Sequence, residues 1–205
     1  MTGIVRLASP NDAAALADIY RPAVVDSAVS FELEPPDSAE MARRVDATLQ
    51  RTPWLVCEAT SGVLGYAYAS RHRERAAYQW CVEVSAYVRP DVRRAGVATA
   101  LYTSLVSILA RQGFRNAYAA IALPNDASVR LHLSLGFTPI GVYRNIGYKR
   151  GAWHDVQWLE RELAPHSDNP DPPTPLPILL ERANLDEALE AGMSRLDLPA
   201  ARHRE

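Results

Sequence analysis

The chain has 205 residues, 48% of them hydrophobic, and a formal net charge of −2. That length allows one domain with a substantial core plus an appendage, and the charge lacks the electrostatic footprint of a non-specific nucleic-acid binder. No apolar run approaches the roughly 20 residues needed to cross a bilayer, and residues 1–6 lack a signal-peptide layout, so the expectation is a cytoplasmic protein with no membrane or nucleic-acid partner. Cys57 and Cys81 each fall inside an apolar run, and the five histidines show no ligand spacing, so neither a disulfide scaffold nor a metal site is expected.

In chain order, residues 4–8 read as a strand, and Ser9, Pro10 and Asp12 open a helix to about Tyr20. Residues 21–36 sustain no period and carry one isolated aromatic, Phe31, which suggests a functional loop or an irregular helix pair. Asp37 with Glu40 is a capping box for a helix to about Arg51. Two apolar runs, 54–59 and 64–69, flank a turn at 60–63 and predict an antiparallel hairpin. After the charged loop 71–75, residues 80–88 are β-branched and aromatic, as in a strand. Val97, Leu101, Leu105 and Ile108 then recur at helical spacing until Gly113.

Residues 118–123 read as a strand, Asn125, Asp126 or Ser128 caps a helix that Gly136 ends, and 137–142 and 153–159 are two final strands. Early hairpins followed by strand–helix crossovers predict an α/β domain, with a mixed sheet flanked by helices on both faces. Six of the fourteen residues 164–177 are proline, which reads as an extended linker. Residues 178–205 then form a tail in which Ile178, Leu185 and Leu189 have helix-compatible spacing; it either docks back on the domain or stays apart. Removal of everything after Ala164 is expected to leave a folded domain of residues 1–163.

The chemistry starts at Arg93-x-x-Gly96-x-Ala98, a strand-to-helix turn whose backbone N–H groups and two arginines suit a pyrophosphate. A glycine chosen only for a tight turn is the alternative. No Gly-Lys-Ser/Thr ending and no Gly-x-Gly-x-x-Gly is present. Further motifs follow in register: Tyr78-x-Trp80-x-x-Glu83-x-Ser85-x-Tyr87-Val88, Leu123-Pro124-Asn125-Asp126-x-Ser128-Val129-Arg130-Leu131-His132 and Gly147-Tyr148-Lys149-x-Gly151-x-Trp153-His154-Asp155-Val156. Over residues 4–163 the chain resembles the GNAT acyltransferases, in particular the phosphinothricin and methionine sulfoximine N-acetyltransferases.

The resemblance implies a GNAT fold, acetyl-CoA as co-substrate, no metal, a homodimer, and transfer to the amino group of a small amino-acid-like molecule in a ternary complex. It implies coenzyme contacts from Ala86, Tyr87 and Val88, from Arg93, Arg94, Ala95, Gly96, Val97, Ala98 and Thr99, and from Asn125 and Ser128. Glu83 is then the general base, since only a neutral amine can attack a thioester. His132 protonates the departing thiolate or shares the base role. Tyr102 is the alternative acid, and a satisfied helix histidine is the alternative for His132. Arg73 and Arg75 are candidates to grip the anionic end of the acceptor, with solvated surface charge as the other reading. Phe31, Trp80 and Tyr87 are candidates to wall the pocket, and Ser85, on the strand of Glu83, is a further candidate to bind the acceptor. Cys81 shares the strand face of Glu83, but no adjacent base marks it as a nucleophile. Two other readings remain: a peptide or protein N-acetyltransferase with an open groove, and a non-catalytic acyl-CoA sensor in which Glu83 and His132 are idle.

Overall fold

The computed structural model describes residues 3–198. A seven-stranded sheet is built from β1 (Ile4–Leu7), β2 (Trp54–Ala59), β3 (Gly62–Arg71), β4 (Cys81–Val88), β5 (Asn116–Ala122), β6 (Thr138–Lys149) and β7 (Ala152–Glu162). Its order is β1-β2-β3-β4-β5-β7-β6, and all neighbours are antiparallel except β4 and β5. The helices are α1 (Ala13–Val25), α2 (Ser38–Leu49), α3 (Val97–Gln112), α4 (Asp126–Ser134), α5 (Leu176–Arg182) and α6 (Asp186–Met193). Among the described residues no helix is long and apolar enough to cross a membrane.

Strand alternation divides the core between the two faces of the sheet. On β2, Trp54 and Val56 join α1 and α2 in one cluster, while Leu55 and Cys57 join α3 in the other. The expected mixed sheet with helices on both faces is therefore present. Asp37 caps α2 as anticipated, its carboxylate accepting from the Glu40 amide at 2.7 Å. Helix α1 runs on to Val25 despite Pro22, because Leu16, Tyr20 and Val24, four residues apart, are all buried against the sheet, and that burial outweighs the proline. Strand β6 likewise extends well past Val142, with a register shift between Tyr143 and Gly147.

The largest difference lies beyond Ala164, where the proline-rich segment does not hold the tail away from the domain. Leu176, Leu179, Leu185 and Ala188 are buried in the α3 side of the core. Gly192 brings α6 against α3 so closely that a Cβ there would collide with the Ala100 carbonyl oxygen and Ser104 Oγ. Ends of the extended segment are fixed by hydrogen bonds: the Thr174 amide donates to the Gln112 carbonyl (2.7 Å) and the Leu176 amide to that of Arg51 (3.0 Å). Proline stiffens the segment without removing its carbonyls, and the apolar residues just beyond it find the open flank of α3.

Candidate active site

Strands β4 and β5 pair over three residues only, Cys81 with Asn116, Val82 with Ala117 and Glu83 with Tyr118. Beyond that rung β4 follows β3 and β5 follows β7, so a wedge opens through the sheet. It is lined by Val84–Tyr87 on β4 and Ala119–Ala122 on β5, by Val29 from the α1 side, and by Tyr102, Asn125, Ser128 and His132 from the other side. Among the described residues, the strand edges that face each other across it have no ladder partner. Their N–H and C=O groups are free to bond an extended, amide-bearing chain laid between them.

At the end of β4 the chain turns through Arg94 and Gly96, both with positive φ (68° and 73°), into α3. Gly96 is the N-cap of this 16-residue helix and no side chain caps it, so the first amides of α3 have no side-chain acceptor. Arg93 and Arg94 are exposed beside them, Ala98 and Thr99 are half-buried, and Ala95 and Val97 are buried. Unsatisfied amides, a helix N-terminus and two guanidinium groups together favour a pyrophosphate. Tyr102 stands six residues beyond Gly96, about 9 Å along the helix axis at 1.5 Å per residue, which connects the turn to the wedge. Asn125 caps α4 by accepting from the Ser128 amide at 3.2 Å, which leaves its NH₂ group for the cleft that it lines.

Glu83 occupies the last paired rung, where the wedge begins. Its Oε1 lies 2.9 Å from His72 Nδ1 and 3.4 Å from Arg73 Nη1. The His72 ring stacks on Tyr118, with centroids 4.5 Å apart. On the opposite side of the cleft, His132 is buried, with Nδ1 2.8 Å from the Ser128 carbonyl oxygen and Nε2 3.0 Å from the Tyr102 hydroxyl. A carbonyl oxygen only accepts, so Nδ1 carries the proton and Nε2 accepts from the tyrosine. Burial lowers the pKa of His132 and raises that of Tyr102, so the pair stands as neutral imidazole and protonated phenol. Cys81 is also raised by burial, which keeps it a thiol and disfavours it as a nucleophile.

Of the expected acceptor residues, Ser85 lines the cleft and Arg73 reaches Glu83, with its guanidinium over the Trp158 ring at 5.7 Å. Tyr87 contributes to the lining, while its ring packs edge-on against Tyr20. Phe31 lies against the β6–β7 hairpin, near His154 and Gly147. Arg75 is exposed at the start of a short turn. Trp80 is not brought to the cleft: its indole N–H donates to the Asp171 carbonyl at 2.9 Å, on the proline-rich segment. Two residues escaped the sequence reading. His72 looked like one charge among many, and Lys149 like part of a motif; its ammonium group is buried and donates to the carbonyls of Val24, Ser30 and Glu32 at 2.6–2.7 Å.

A family profile described as an Acetyltransferase (GNAT) domain matches residues 5–158. The chain belongs to the GNAT acetyltransferases. It is an acetyl-CoA-dependent N-acetyltransferase, as the wedge, the uncapped α3 turn and the cleft side chains fit. It is 41% identical over 172 residues to the phosphinothricin N-acetyltransferase of Streptomyces viridochromogenes, covering 84% of this chain and 92% of that protein. It is 32% identical over 164 residues to the L-methionine sulfoximine/L-methionine sulfone acetyltransferase of Salmonella typhimurium, covering 80% and 96% respectively. The crystal structure of a GNAT superfamily phosphinothricin acetyltransferase from Sinorhizobium meliloti in complex with AcCoA superposes with a TM-score of 0.78 at 34% identity, covering 86% of this chain and 99% of that one.

Proposed function

We propose that this enzyme acetylates the amino group of a small amino-acid-like acceptor of the phosphinothricin, methionine sulfoximine or methionine sulfone type. The carrying observation is the placement of Glu83 at the last rung before the wedge, with the Tyr102–His132 pair inside it. Acetyl-CoA supplies the activated thioester carbonyl. Residues 93–99 hold its pyrophosphate, and the open edges of β4 and β5, with Asn125 and Ser128, orient its amide-bearing arm. Glu83, held by His72, takes a proton from the acceptor ammonium to free the nitrogen lone pair. The Tyr102 hydroxyl turns its proton from His132 Nε2 to the departing sulfur, and the second proton that the nitrogen sheds on acylation restores the phenol. Arg73 and Arg75 hold the acceptor's anionic end, and the names of the relatives support an acceptor with such a group.

The enzyme acts as a homodimer. Edge strand β6 supports this reading, because Ile140, Val142, Tyr143, Ile146 and Tyr148 are exposed along it, with Trp153 beside them on β7. So large an apolar surface on an open sheet edge suits a second copy. Thiol release from acetyl-CoA, measured with phosphinothricin, methionine sulfoximine, methionine sulfone, a peptide and no acceptor, tests the substrate class. Turnover with the peptide alone would refute it, and sedimentation velocity tests the dimer.

A further inference from the structure

Beyond α6 the chain crosses the N-terminus of α3. The Asp197 amide donates to the Ala95 carbonyl at 3.1 Å, and the Arg195 carbonyl oxygen lies where a Cβ on Gly96 would be. In a trans peptide the C=O and N–H of one unit point in opposite directions. Gripping the Ala95 oxygen therefore turns the amide of Gly96, the other half of the same unit, away from the tail. Among the described residues, no group accepts from that amide. Residues 195–198 thus hold the turn at its carbonyl side.

The grip is itself anchored. Ser104 Oγ donates to the Leu189 carbonyl at 3.4 Å, and Leu196 and Leu198 pack on the core of the domain. Both ends of the contact are thus referred to the same helix, α3. Arg94 holds a positive φ, a conformation unfavourable for an arginine, so the turn needs outside support to keep it. Residues 195–198 lie outside the stretch that matches the family profile.

We propose that residues 195–198 are a backbone clamp that preorganises the Gly96 amide for the coenzyme pyrophosphate. The role is one of positioning, and it rests on the reading of residues 93–99 as the coenzyme turn.

Isothermal titration with CoA tests the clamp on the full chain, on Asp197→Pro, which lacks the N–H, on Asp197→Ala, which keeps it, and on a chain ending at Ser194, which retains α5 and α6. The expected result is a Kd raised about 5- to 10-fold in Asp197→Pro and in the shortened chain, the scale of one misplaced hydrogen bond. Asp197→Ala should bind as the parent does. Acceptor KM, and kcat at saturating acetyl-CoA, should not move, which general loosening of the fold would not achieve. An unchanged or tighter Kd in both clamp variants overturns the proposal, the tighter value marking the tail as a competitor. An equal loss in Asp197→Ala overturns it in favour of the carboxylate. The double variant Arg93→Ala/Arg94→Ala tests the underlying reading separately: if it binds CoA like the parent, the turn is not the coenzyme site, and the clamp falls with it.

Discussion

His72 Nδ1 lies 2.9 Å from Glu83 Oε1, and the same imidazole stacks on Tyr118, the residue that pairs with Glu83 across the β4–β5 junction. The carboxylate is thereby fixed at the mouth of the wedge by a ring that rests on the neighbouring strand. Replacing Glu83 with Gln keeps the shape and removes the base, so kcat should fall by about 10²-fold near neutral pH, with partial rescue as the pH rises. CoA affinity should be unchanged. His72→Phe keeps the stacking and loses the hydrogen bond, and a kcat reduced about 5-fold with intact CoA binding is expected. A kcat in Glu83→Gln equal to that of the parent would remove Glu83 from the mechanism.

His132 gives a pH dependence whose direction follows from its burial. Its pKa in the folded protein lies below the ordinary value of 6.5. The unfolded chain therefore binds this proton more readily than the folded one, and this group's contribution to folding stability is fully present above about pH 6.5 and is lost as the pH falls through the lower, folded-state pKa. Thermal midpoints measured from pH 7.5 to 5 should decline, and His132→Gln, which cannot titrate, should decline less steeply. An identical slope in the variant would show that the buried imidazole does not set the acid limb.

Some of this arrangement was legible in the residues and some was not, for definite reasons. The Asp37 cap and the β2–β3 hairpin rest on contacts between near neighbours in sequence, and they stand where the sequence puts them. The wedge depends on where β4 parts from β5, a property of pairing that neither strand carries alone. Trp80 finds the Asp171 carbonyl 91 residues away, a separation that no local pattern reports. In the tail, the apolar spacing was visible but its phase was not. Ala183 is extended and separates α5 from α6, so Ile178 is 37% exposed whereas Leu176 and Leu179 are buried.

Lys149 links the end of β6 to the last turn of α1 and the α1–α2 connection through three carbonyls, those of Val24, Ser30 and Glu32. Phe31 stands between the last two, so this ammonium group fixes the loop that is a candidate wall of the acceptor pocket. Lys149→Met preserves chain length and leaves three acceptors unpaired, for a loss of about 2 kcal/mol after the loop relaxes toward water. The acceptor KM should rise and the CoA Kd should hold. Steady-state kinetics beside calorimetry separates the two, and a variant with an unaltered acceptor KM would show that the loop does not shape the pocket.

The tail's helices are the remaining test, because sequence and structure differ about them. Read as a linker and an appendage, residues beyond Ala164 should be dispensable. In the structure Leu176, Leu179 and Leu185 are 1%, 8% and 5% exposed against α3 and its neighbours. Full burial of a leucine is worth about 1.5–3 kcal/mol, so the three together contribute roughly 5–9 kcal/mol as an upper value. Domains of this kind are stable by about 5–15 kcal/mol in all. A chain ending at Ala164 should therefore be insoluble, or melt some 10–35 °C lower at about 2–4 °C per kcal/mol. Leu176→Ala in the full chain should cost about 2–5 kcal/mol, the range for a buried leucine replaced by alanine. Scanning calorimetry on both proteins decides the matter. Parent-like midpoints would mean that the tail rests on the domain without holding it together, whereas a large loss in both makes α5 and α6 part of the fold.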